Sequence, residues 1–157
     1  MEPFMKHGIF SAGVLGTAIA AIVATSLMAG GHSPVEKREA AMGVVGKSTG
    51  VIGDMLKGEK PFDAEMANTA LADMRAAAEG FADLYPEGTE GETTNRFLAS
   101  PAVWSDRAGF EAELVKFQDA LDIAIEAKPQ DQAALGAVFG TVGQSCRSCH
   151  EGYRSRQ

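Results

Sequence analysis

From Val35 onward the apolar positions fall into four stripes separated by three breaks. In the first, Val35, Met42, Val45, Ile52 and Leu56 are spaced by sums of threes and fours, which puts them along one side of a helix. Pro34 suits the start of that helix. The run Lys57-Gly58-Glu59-Lys60-Pro61 ends it, because Gly58 can cap it and Pro61 cannot continue it. Asp63 is placed to cap a second helix reaching about Leu84, with Met66, Ala70, Met74, Ala77 and Phe81 inward. Tyr85 to Asp106 is a connection rich in Gly, Thr, Pro and Glu. Such a length is uncommon without a role or some structure of its own, and Trp104 near its end is expected to plug the bundle. Gly109 to Ala127 predicts a third helix, with Phe110, Leu114, Phe117, Leu121 and Ile125 inward and Lys128-Pro129 at its end. The fourth runs from Asp131 to about Arg154, with Leu135, Val138, Phe139 and Val142 inward. Short, long and short connections predict an all-α domain, an antiparallel four-helix bundle over residues 34–157. Gly43, Gly46, Gly50 and Gly53 are costly inside a helix. Close helix packing explains them, and so does room for a flat cofactor beside the backbone.

Ahead of the bundle, Gly8 to Gly31 carries no charge over roughly the length that spans a bilayer. Residues 1–31 therefore read as an N-terminal hydrophobic helix, either a cleaved signal peptide with small residues Ala29, Gly30 and Gly31 at its end, or a retained membrane anchor. Lys6 holds the N-terminus in the cytoplasm in both readings. The domain then stands on the periplasmic side of a bacterial inner membrane, anchored by residues 8–31 or soluble after cleavage.

Charge narrows the partners. The formal net charge is -7, and residues 1–31 hold one acid, Glu2, and one base, Lys6, so the bundle carries that excess. An acidic domain repels phosphates, which excludes nucleic acid. It attracts a basic protein partner over long range and so speeds encounter.

The chain's two cysteines lie in Cys146-Arg147-Ser148-Cys149-His150. A disulfide there would close too small a loop to stabilise much. A thioredoxin-like pair needs a βαβ context, which is missing, and a zinc site needs a second ligand pair, for which His7 and His32 are badly placed. Cys-x-x-Cys-His is instead the attachment signature of c-type haem. Each thiol adds to one vinyl group, and the next residue directs an imidazole at the iron. On a helix, Cys146, Cys149 and His150 share one region. One covalent haem c is the expected cofactor, with His150 as proximal ligand. No nucleophile–base pair, phosphate loop or paired catalytic carboxylates appear.

The position of this motif at the end of a helical domain, followed by Glu151-Gly152-Tyr153-Arg154, resembles cytochrome c prime and its low-spin class II relatives. Arg38-Glu39-Ala40-Ala41-Met42, the Lys57 to Asp63 turn and Ser100-Pro101-Ala102-Val103-Trp104 resemble the same family. The resemblance covers Pro34 to the C-terminus. It implies a four-helix bundle, often a homodimer, with haem between the helices. It also implies two functional types. In cytochrome c prime the iron is five-coordinate and binds nitric oxide or carbon monoxide. In the low-spin members a first-helix methionine is the sixth ligand and the protein transfers electrons in the periplasm. Met42 aligns with that position, and the turn after the first helix is more like the low-spin members. Met42 then either ligates iron or, as an apolar residue, blocks the distal side. Arg38, four residues before Met42, and Arg154, four after His150, are candidates to pair with haem propionates or steady the histidine. Glu39 is expected on a solvated face. A retained anchor would make the chain a tethered haem subunit docked on a larger membrane electron-transfer complex.

Overall fold

A computed structural model describes residues 32–94 and 97–156. The hydrophobic segment of residues 1–31, and with it the choice between signal peptide and anchor, lies outside the described residues. Among the described residues no helix is long and apolar enough to cross a membrane.

Helix α1 spans Pro34–Leu56 and opens with a capping box: the Ser33 hydroxyl accepts from the Glu36 N–H at 3.2 Å while Glu36 accepts from the Ser33 N–H at 2.7 Å. Helix α2 spans Ala64–Ala78, capped by Asp63 as expected. It ends earlier than the stripe predicts. Gly80 turns left-handed, with φ of 60°, and Phe81–Leu84 form a separate 3-10 turn. A four-residue helix, α3, covers Ala102–Ser105 inside the long connection. Helix α4 spans Arg107–Ala127 and starts two residues before the predicted Gly109, because Asp106 caps it. Helix α5 spans Gln132–Tyr153 behind an Asp131 cap. Strand β1, Phe97–Ala99, pairs antiparallel with strand β2, Arg154–Arg156, so a short ladder joins the long connection to the chain's end. The sequence pattern gave no sign of this addition to an otherwise helical bundle.

Helix α1 packs on α2, α2 on α4 and α4 on α5, while the seam between α1 and α5 is the loosest of the four. The core has two centres. The larger contains Ile52, Met55, Leu71, Met74, Leu121, Leu135 and Val142. The smaller, Phe81, Val103, Phe110 and Leu114, lies where α1 begins, α4 begins and α5 ends. The structure departs from the sequence pattern in three respects. Met66 is 48% exposed, because the inward row of α2 is Ala67, Ala70, Leu71, Met74 and Ala78. Val103, not Trp104, takes the fully buried place in the long connection; Trp104 sits at the rim, its indole N–H donating to the Pro86 carbonyl at 3.0 Å. Gly43, Gly46, Gly50 and Gly53 have no neighbouring side chain or partner backbone within 4 Å of where a Cβ would stand, so close packing of the described helices does not account for them.

Two adjacent residues of α1 fasten the long connection. Arg38, only 5% exposed, donates to the Thr89 hydroxyl at 3.2 Å, the Thr89 carbonyl at 3.3 Å and the Glu92 carbonyl at 2.7 Å. Glu39 accepts from the Thr93 hydroxyl at 2.9 Å and from the Thr94 N–H at 2.7 Å, and from the Thr94 hydroxyl as well. Glu39 is thus half-buried and bonded, rather than on a solvated face. Burial pushes its pKa up, but the hydrogen bonds from Thr94 and Thr93 outweigh that and hold it below the ordinary 4.5. A depressed carboxylate contributes stability above its unfolded pKa and loses it as pH falls through the folded one. Glu39→Gln is therefore expected to be less stable than the parent at neutral pH by roughly 1 kcal/mol, one hydrogen bond's net value. The two proteins should converge as pH falls through the depressed folded-state value of Glu39. Urea unfolding at a series of pH values checks this; a constant gap across the series would contradict it.

Candidate haem site

The haem motif occupies the last two turns of α5, and its groups divide between two faces. Cys146 is half-buried against the larger core centre and Cys149 against the smaller. Both are free thiols. Burial raises the Cys146 pKa; burial, then the charges of Glu113 and Cys146, takes Cys149 up to about 11. Both groups are therefore thiols at neutral pH, the form that adds across a vinyl bond. From α1, Met42 packs against both core centres. Met42 thus shares the larger core centre with Cys146 and the smaller with Cys149.

His150 is exposed whereas the two cysteines are half-buried, so the three do not share one environment as their spacing suggests. His150 borders a surface hollow of about 350 Å³ together with Arg147, Glu151 and Arg154. Desolvation by its neighbours, then the Arg154 charge, lowers the His150 pKa. A neutral imidazole is what an iron ligand requires. Arg154 thus adjoins His150, as the spacing suggests. Arg38 has other partners: besides its bonds to Thr89 and Glu92, its guanidinium lies 4.7 Å from the Tyr85 ring centre and 5.8 Å from that of Trp104. Its hydrogen bonds tie down the connection over the haem end of the bundle.

Sequence reasoning placed Phe110 inward but missed the contacts that hold this end together. Tyr85, Phe110 and Tyr153 form a run of edge-to-face rings, with centres 5.1 Å and 5.4 Å apart. Arg107 donates to the Ala82 carbonyl at 2.8 Å and the Tyr85 carbonyl at 3.3 Å. Glu113 on α4 accepts from Lys116 at 2.5 Å and from the Ser148 hydroxyl, inside the haem motif.

The donor set suits haem c. Two protonated thiols three residues apart meet the need for two thioethers, and an imidazole follows at once. Helices α1 and α5 pack more loosely than the other neighbouring helix pairs of the bundle, and Met42 on α1 packs against the same core centres as the two cysteines. Among the described residues no cluster of His, Cys, Asp and Glu offers an alternative metal site.

Comparison with known proteins agrees. Residues 33–154 match the family model described as cytochrome C'. The chain is 35% identical over 123 residues to cytochrome c-556 of Agrobacterium tumefaciens, covering 78% of this chain and 98% of that one. It is 32% identical over 145 residues to cytochrome c' of Cereibacter sphaeroides, covering 92% and 97%. The NMR-validated structural model of oxidized R. palustris cytochrome c556 superposes with a TM-score of 0.71 at 30% identity, over 79% of this chain and 97% of that one. One haem c is covalently attached per chain. The fold, the haem signature and these likenesses agree: the chain belongs to the cytochrome c' family.

Proposed function

We propose that the protein is a periplasmic electron carrier with a low-spin haem ligated by His150 and Met42. Haem c, when bound, supplies a one-electron couple whose potential depends on its axial ligands. Cys146 and Cys149 hold it by two thioethers, so it stays with the chain in both oxidation states. His150 is the proximal ligand. Met42 offers its sulfur from α1, and its apolar surroundings exclude water from that side. The observation that supports this reading is that Met42 packs against both core centres, the larger shared with Cys146 and the smaller with Cys149. The net charge of -7 favours a basic redox partner, with an association rate that falls as salt rises.

A five-coordinate haem that binds nitric oxide or carbon monoxide is the second reading. It is favoured by the similarity to cytochrome c' of C. sphaeroides, alongside that to cytochrome c-556 of A. tumefaciens. In this reading Met42 only fills space. Absorption spectra of the ferric and ferrous protein, with and without carbon monoxide, separate the two. Low-spin spectra, a ferric methionine–iron charge-transfer band and no rapid carbon monoxide binding are expected. A high-spin ferric spectrum with rapid binding would establish the second reading instead.

A further inference from the structure

Where α5 ends, three elements meet through groups that electron transfer does not itself require. Tyr153, the last residue of α5, lies three residues beyond His150, so the two are neighbours along one side of the helix. The Tyr153 hydroxyl donates to Asp106 Oδ2 at 2.7 Å. The other oxygen of that carboxylate caps α4, accepting from the Gly109 N–H at 3.3 Å. Gly109 makes room for the arrangement: a Cβ there would collide with both Tyr153 Oη and Asp106 Oδ2. The backbone is tied as well. The Ser100 N–H donates to the Tyr153 carbonyl at 3.0 Å, and the Ser100 hydroxyl donates to the Gly152 carbonyl at 3.2 Å. Carbonyls in a helix's last turn lack intrahelical partners, and such ends fray. This end is held at a hydroxyl, at a ring packed on Phe110, and at two carbonyls.

We infer that Tyr153, Asp106 and Gly109 form a latch that fixes the last turn of α5 and thereby the orientation of the His150 imidazole. The inference rests on His150 being the proximal ligand. The three are positioning residues, since none contacts the iron. The ring plane of an axial histidine controls how unpaired spin spreads over the haem, and groups beyond the first ligands commonly set that plane and tune the metal. Fastening the helix within one turn of His150 removes the backbone motion through which that plane would drift.

The test uses the haem-loaded protein with Tyr153→Phe, Gly109→Ala and Asp106→Asn. Proton NMR of the ferric state reads the hyperfine-shifted haem methyl signals, and a redox titration reads the midpoint potential. Tyr153→Phe and Gly109→Ala should redistribute the methyl shifts and move the midpoint. Asp106→Asn can keep both contacts, its oxygen accepting from Gly109 and its amide donating to the tyrosine oxygen, and should stay near the parent. Tyr153→Phe decides alone if Gly109→Ala does not fold. Lower thermal stability in Tyr153→Phe with unchanged methyl pattern and midpoint would overturn the inference and leave a purely structural latch. Both readouts work with five- or six-coordinate iron. A parent lacking the methionine–iron band would therefore sink the Met42 reading without touching this one.

Discussion

Met42→Ala is expected to turn a low-spin ferric spectrum into a high-spin one, abolish the methionine–iron band and open the ferrous protein to rapid carbon monoxide binding. The midpoint potential should fall by tenths of a volt, within the ~0.8 V range over which axial ligands set haem potentials. Loss of the thioether removes a ligand that favours the ferrous state. It also leaves a gap between the two core centres that Met42 joins. Truncating a partly buried methionine costs stability too, about 2 kcal/mol at the low end of core truncations. Met42→Leu separates the two effects, because it keeps most of the volume and removes the sulfur. The leucine variant should share the altered spectrum while retaining near-parental stability. If both variants kept the parent's spectrum, another group would be the sixth ligand or there would be none.

Arg38→Ala is expected to lower stability by about 3 kcal/mol, read as a drop in the urea midpoint. Hydrogen bonds to charged groups contribute about 1.5–3 kcal/mol net, and a desolvated cation–π contact about 2. Arg38 makes three such hydrogen bonds and faces two aromatic rings while 5% exposed. These contributions overlap, and solvation of the freed Thr89 and Glu92 carbonyls offsets part of the sum. Arg38→Lys should recover little, because an ammonium cannot span the same carbonyls with a planar fork. The haem midpoint should move less than the stability does, since the bonds of Arg38 go to the Thr89–Glu92 segment. A large midpoint shift with little loss of stability would restore the propionate role read from sequence.

The motif and the four helices were legible because each is local. Cys146, Cys149 and His150 declare their chemistry by spacing, and stripes such as Phe110, Leu114, Phe117 and Leu121 repeat within single helices. Misreadings came where the pattern ran on past a break. Phe81 continues the stripe of α2 in step with Met74 and Ala77, so Gly80 between them looked like a tolerated interruption. The long connection was opaque for a different reason. Its anchors are Arg38 to Thr89 and Glu39 to Thr94, more than fifty residues apart, and three-residue strands such as Phe97–Ala99 leave no periodic trace. Tyr153 and Gly109 were likewise invisible as a pair, since their significance depends on where α4 starts relative to where α5 stops.

Arg38, Glu39 and Met42 share little more than one turn of α1. The helix therefore carries on one short stretch both the sulfur proposed as the sixth ligand and the grip on the outer connection. A turn of α1 about its axis moves both together. If Met42 ligates the iron as proposed, a shift of α1 that moves the sulfur would also pull on Thr89 to Thr94, through the bonds of Arg38 and Glu39.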